Sequence, residues 1–201
     1  MYIVKSGFLC GLLALVLALL YLPVYIRTRR IKEFKTDRKE NLTVNLFLCC
    51  VFNCLISGVI IKESPALPDF IFAFALMIIA DFDLLIFRIP TEFLMLLYVS
   101  ILPGIITQGN WAYVLTSLVL WSLWWIAQKE GLIAIYDVWL LLPLALYLND
   151  TKKALLFYAL FLVLWGCFAL ILRYLCKKDP HTKIPLAPLM ALSFVIMRLS
   201  P

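Results

Sequence analysis

Long apolar runs alternate with short polar breaks along the whole chain. About 20 consecutive apolar residues, wound as a helix, cross the hydrocarbon core of a bilayer. Read against that length, the pattern predicts eight spans, at roughly 5–26, 42–62, 69–87, 90–107, 111–128, 132–148, 154–175 and 184–199. The breaks between them are polar or carry Pro or Gly: "RTRRIKEFKTDRKEN", "KESPALPD", "RIPTE", "QGN", "QKEG", "NDTKK" and "CKKDPHTK". Spans four to six are short and weakly separated. Neither an internal repeat nor a low-complexity linker interrupts the series, so residues 1–201 read as a single domain. The expected fold class is all-α, a polytopic transmembrane helix bundle of about eight spans.

Composition supports that reading. Of 201 residues, 65% are hydrophobic and 15% charged, and the mean hydropathy is +1.01. A soluble domain of this size cannot bury so much apolar surface. The first apolar run lacks an early basic segment followed by a small-residue cleavage site, so it reads as a retained helix rather than a removed signal peptide. The net charge of +6 is topogenic. Nucleic-acid binding is not expected, because it requires a continuous basic face.

Lys and Arg set the orientation. The first loop holds Arg27, Arg29, Arg30, Lys32, Lys35, Arg38 and Lys39. With eight spans it shares a side with Arg88, Lys129, Arg173, Lys177, Lys178 and Lys183, making thirteen basic residues. The opposite side has five: Lys5, Lys62, Lys152, Lys153 and Arg198. The first loop is therefore expected in the cytoplasm, as an anchor beside anionic lipid, with both termini outside.

Few residues offer chemistry. None of the six cysteines forms a CxxC pair or a zinc-ligand spacing, and they read as small apolar fillers. His181 is the single histidine and lies in a loop, which argues against a Ser-His-Asp triad or a histidine-rich metal site. No metal or cofactor is called for.

Carboxylates are the exception. Asp81, Asp83 and Asp137 lie inside apolar runs, where an ionised acid costs at least about 2.5–3.5 kcal/mol. Asp83 sits near the cytoplasmic end of span three. Asp137 sits about one and a half turns into span six, which starts from the same side, so the two share a shallow depth on different helices. A facing pair in a low-dielectric site holds one proton between its members. One carboxylate then activates a water while the protonated partner polarises a carbonyl, which is aspartic protease chemistry. Two other readings stay open from spacing alone. Buried acids also mark proton or cation paths, and a lone aspartate near a helix end pairs with a neighbour such as Arg88 or reaches the interface.

The segment around Asp83, "DLLIFRIP", resembles the first active-site motif of the type IV prepilin peptidases, the GxGD-type intramembrane aspartic proteases. In that family an aspartate precedes an Ile-Pro or Leu-Pro by a fixed step. Here Asp83 precedes Pro90 by seven, with Arg88-Ile89-Pro90 in the matching place. Asp81 is offset from Asp83 by about 200° on a helix and reads as structural or modulating. The second family motif, Gly-x-Gly-Asp, corresponds to "AIYDVWLLLPLAL": Asp137 and Val138 match, whereas Ala134 and Tyr136 replace the glycines and Trp139 the usual lysine. Thr91 replaces the usual Asn. The late stretch "KIPLAPLMALSFVI", with Pro185 and Pro188, resembles a further family segment.

The resemblance implies an aspartic endopeptidase of the bacterial inner membrane with Asp83 and Asp137 catalytic. Arg88, Ile89, Pro90, Tyr136, Pro185 and Pro188 would support the motifs. The implied substrate is a prepilin or pseudopilin precursor, cut between a short basic leader and an apolar helix at the cytoplasmic face. Larger members carry paired CxxC motifs in a cytoplasmic domain linked to N-methylation. The first loop here has 15 residues and no cysteine, so a short, peptidase-only form without N-methyltransferase activity is expected. The alternative from another class is an inactive relative, or a proton- or cation-coupled membrane component using the same aspartates. Nothing in the sequence sets the oligomeric state.

Overall fold

The computed structural model describes residues 12–23, 42–60, 67–108, 111–131, 133–175 and 184–200. Among them the chain forms eight α-helices and no strand. They are α1 (Leu12–Pro23), α2 (Leu42–Ile60), α3 (Leu67–Ile86), α4 (Thr91–Gln108), α5 (Trp111–Lys129), α6 (Ile135–Leu148), α7 (Thr151–Leu170) and α8 (Ala187–Leu199). A π-helical turn, Ile171–Leu175, continues α7. The all-α expectation and the helix order hold. The basic first loop, Cys10, Cys176 and His181 lie outside the described residues.

Three helices depart from the expected bounds for local reasons. Span six starts a turn late: Gly131 has φ 75° and Ala134 is extended at φ −75°, ψ 150°, so winding begins at Ile135. Asp137 consequently sits in the first turn of α6, not one and a half turns in. Span eight also starts late, because Pro185 and Pro188 hold Ile184–Leu186 out of the helix. Pro at the second helical position then costs nothing, since its missing N–H would have no partner there. α7 begins earlier than hydropathy implies because Asp150 caps it, accepting from the Lys153 N–H at 2.9 Å.

Most buried apolar side chains form one core reaching from Ala14 in α1 to Met197 in α8, with a smaller cluster of Leu15, Cys49, Leu84 and Leu85 beside it. α3 is its centre. Every residue from Ala75 to Leu85 is buried, and α3 packs against α2, α4 and α8. α6 packs against α4, α5, α7 and α8. Two prolines inside helices would orphan carbonyls one turn upstream. Pro143 in α6 removes the donor for the Trp139 carbonyl, and the Tyr98 hydroxyl of α4 donates to it instead at 2.7 Å. The Trp121 indole N–H of α5 donates to the adjacent Val138 carbonyl at 2.8 Å.

By length and composition, α7 is long and apolar enough to cross a membrane, with 20 residues, a mean hydropathy of 2.0 and 22% of its apolar window buried. Shorter apolar helices or helical segments are Leu12–Pro23, Asn45–Ile60, Thr91–Thr107, Ile135–Leu148 and Ala187–Leu199.

Candidate active site

Asp83 lies in the last turn of α3 and is 5% exposed. Its Oδ2 accepts the Ala187 backbone N–H at 2.8 Å. Ala187 is the first residue of α8, whose own N-cap, Leu186, supplies no side-chain cap. Helix N-termini leave unsatisfied N–H groups and a partial positive charge. A carboxylate from another helix therefore does here what a local Ser or Asp usually does. Pro188, buried one step on, has no N–H to offer, while the Leu186 N–H also faces Asp83. The stretch "IPLAP", singled out by resemblance, thus meets Asp83 directly.

Asp81 faces elsewhere. It is fully buried, its Oδ2 accepts from Asn53 Nδ2 of α2 at 2.9 Å, and the Cys49 thiol lies against it. Two residues of one helix turn thus send their carboxyls to different neighbours, α2 and α8, in keeping with their offset of about 200°.

Asp137 is half-buried, and its backbone N–H donates to the Ala134 carbonyl at 3.1 Å. It stands close enough to Asp83 for the two charges to interact. α3 and α6 come together through α4 and α8, against which both pack. The end of α3, the start of α6 and the start of α8 therefore meet at one end of the bundle.

The connection from α3 to α4 is tight. Phe87 adopts φ 53°, its N–H donates to the Asp83 carbonyl at 3.0 Å, and the helix ends there as at a left-handed C-terminal cap. Arg88 is exposed, while Ile89 and Pro90 are buried, and the Pro90 carbonyl accepts from the Leu94 N–H at 3.2 Å. Pro185 is half-buried.

Glycine is not demanded at the positions that depart from Gly-x-Gly. Ala134 has a negative φ, and Tyr136 is an ordinary helical residue that is 47% exposed. Its ring lines a groove of about 480 Å³ between α4 and α6 with Thr91, Leu94, Met95, Tyr98, Val99 and Trp139. Bulk at Tyr136 is thus directed outward along the groove.

Two carboxyls at one end of an apolar bundle, one held by a helix N-terminus, can share a proton and activate water. Among the described residues, no cluster of three or more His, Cys, Asp or Glu side chains could hold a metal ion. Sequence reasoning missed the Ala187 N–H, since a backbone donor leaves no residue-type signal. It also missed Asn53, although a polar residue inside span two was visible as an exception. Compared with known protein families, curated proteins and solved structures, the chain matches none.

Proposed function

We propose that the chain is a membrane-embedded aspartic endopeptidase, resembling the prepilin peptidases, in which Asp83 and Asp137 act as a pair. The observation that carries the reading is the meeting of Asp83, Asp137 and the N-terminus of α8 at one end of the bundle. Support for the polytopic, membrane-embedded part is the apolar surface, with Leu20, Phe47, Met95, Ile106, Leu115, Val119 and Val163 exposed on five different helices. Exposed apolar surface of this extent marks a lipid or protein interface. The distribution of Lys and Arg along the sequence supports a cytoplasmic position for the paired end.

Asp83 is the base in this scheme. It accepts an N–H and faces a helix N-terminus, both of which favour its charged form. Asp137, beside a charged neighbour, carries the proton. Water attacks the scissile carbonyl carbon, giving its proton to Asp83 while Asp137 donates to the carbonyl oxygen. Collapse of the tetrahedral intermediate breaks the C–N bond, the proton held by Asp83 goes to the leaving nitrogen, and a hydroxyl of the intermediate returns a proton to Asp137. The substrate is a pilin-like precursor with a short basic leader and an apolar helix, cleaved at their junction. No cofactor takes part.

Co-expression with prepilin-like precursors tests the reading, with leader removal scored by gel shift and N-terminal sequencing. Processing that is lost in both Asp83→Asn and Asp137→Asn, at unchanged protein level, is expected. The departures at Ala134 and Tyr136 favour one second reading, an inactive relative or an ion-coupled component. On that reading no precursor is processed, and the same substitutions change ion flux or assembly instead.

A further inference from the structure

The groove between α4 and α6 begins at the candidate site. Tyr136, on its α6 side, directly precedes Asp137, and Thr91, on its α4 side, directly follows Pro90. Its volume of about 480 Å³ is within the size range of ligand sites, and its lining is mainly apolar and aromatic.

Beyond the groove, α4 continues the same surface. Met95, Val99, Leu102 and Ile106 are each at least 50% exposed. Their spacing of four, three and four residues keeps them within about 60° of one another around the helix, over about 16 Å of its length. The other helices that border the aspartate pair offer no such stripe. Leu140 to Leu146 of α6 are buried, as are Ala75 to Leu85 of α3. The large apolar side chains that α8 exposes, Ile196 and Leu199, are in its last turn, away from Asp83.

We propose that the groove and the α4 stripe seat the apolar helix of the precursor. The inference rests on the peptidase reading above and adds where the substrate lies. Cleavage at the junction of leader and helix puts the N-terminal end of that helix at Asp83 and Asp137. A helix that starts there and crosses the bilayer runs toward the far end of the bundle. α4 starts at the same end and runs the same way, since its Pro103 and Thr107 line a cavity with Asp69 of the first turn of α3. The two helices therefore lie side by side and parallel. A seam of four- and three-residue steps is the one against which a second helix packs, and packing of this kind holds helices together within a bilayer. Tyr136 and Trp139 face the first turn of the precursor helix, and the α4 stripe faces the turns that follow. The aromatic ring at Tyr136 is then a wall of the substrate site.

An acyl chain would cover this surface too, but with no preference for it over other exposed apolar faces. α5 supplies the control, because Leu115 and Val119 are both 62% exposed. In the experiment, a precursor with a photoreactive side chain in its apolar helix is bound to full-length protein in nanodiscs. The protein carries Asp83→Asn to hold the precursor uncut, and crosslinks are mapped by mass spectrometry. They are expected on α4 between Met95 and Ile106, and not at Leu115 or Val119. In parallel, KM is measured for the precursor and for a short peptide that spans the junction without the apolar helix. The ratio of the two should rise about fivefold in Val99→Trp, the loss expected of one well-packed interface residue, and should stay at the wild-type value in Val119→Trp. Crosslinks shared equally between α4 and α5 overturn the assignment and leave the stripe to lipid. So does a ratio that neither variant moves, or that both move alike. Wild-type protein that cuts neither substrate overturns the peptidase reading itself, whereas the seating of the helix fails alone when both substrates are cut without any α4 preference.

Discussion

Replacing Tyr98 by Phe deletes one oxygen atom and tests how α6 tolerates its internal proline. In the native bundle the Tyr98 hydroxyl donates to the Trp139 carbonyl at 2.7 Å, the carbonyl that Pro143 cannot serve. Tyr98→Phe leaves that carbonyl without a donor in a partly buried, apolar setting. An orphaned buried polar group costs about 1–3 kcal/mol, and interhelical hydrogen bonds measured in membrane bundles average about 0.6 kcal/mol with a maximum near 1.7. A loss of about 1–1.5 kcal/mol is the value consistent with both. Pro143→Ala supplies an N–H four residues after Trp139 and lets the helix satisfy its own carbonyl. In that background Tyr98→Phe should cost less than about 0.5 kcal/mol, giving a coupling near 1 kcal/mol, well above the additivity expected of independent sites. Reversible unfolding of the four proteins in mixed micelles, followed by circular dichroism, measures the cycle. Equal cost of Tyr98→Phe in both backgrounds refutes the compensation. On the peptidase reading, Tyr98→Phe should also slow precursor processing without abolishing it, since Asp137 lies on the same helix just upstream, whereas Asp83→Asn should abolish it.

The remaining predictions use the same kinds of measurement. Asn53→Leu, which strips a donor from buried Asp81, should cost about 1–3 kcal/mol, while Asp81→Asn should leave processing largely intact. Asn149→Ala should destabilise by about 1–2 kcal/mol, because a Cβ-bearing residue other than Asn is strained at φ 57°; Asn149→Gly should not. Asp150 accepts the Lys153 N–H at the start of α7, and that bond holds its carboxyl below the usual range. Its contribution is present above the ordinary aspartate value and fades as pH falls through the lower folded one, so Asp150→Asn should flatten the acid limb of the stability–pH curve.

The helices were legible because hydropathy alone delimits them. A run from Thr151 to Leu170 or from Thr91 to Gln108 carries no competing period, and the polar breaks are short. Boundaries slipped where backbone conformation decides them. Gly131 could have signalled the delayed start of α6, but the extended Ala134 has no residue-type mark. Within the candidate site, the opposed directions of Asp81 and Asp83 followed from helix geometry. The partner of Asp83 did not, since it is a main-chain N–H more than a hundred residues away. The Tyr98–Trp139 contact was half legible: Pro143 identifies the carbonyl left over, and only packing identifies the hydroxyl that finds it.

α3 is held from two sides at nearly one level, through Asp81 on α2 and Asp83 on α8. A rotation of that helix about its own axis would release both carboxylates together, and a slide along the axis would do the same. The helix behaves as a bolt rather than as a shutter. On the peptidase reading, an opening that admits an extended polypeptide to Asp83 has to spare these two contacts. Across the groove, α4 and α6 are tied by the Tyr98 hydroxyl together with aromatic contacts such as Tyr98 on Trp139. If substrate enters along that groove on the peptidase reading, those contacts have to part, and a crosslink between α4 and α6 should then block entry while leaving the aspartates undisturbed.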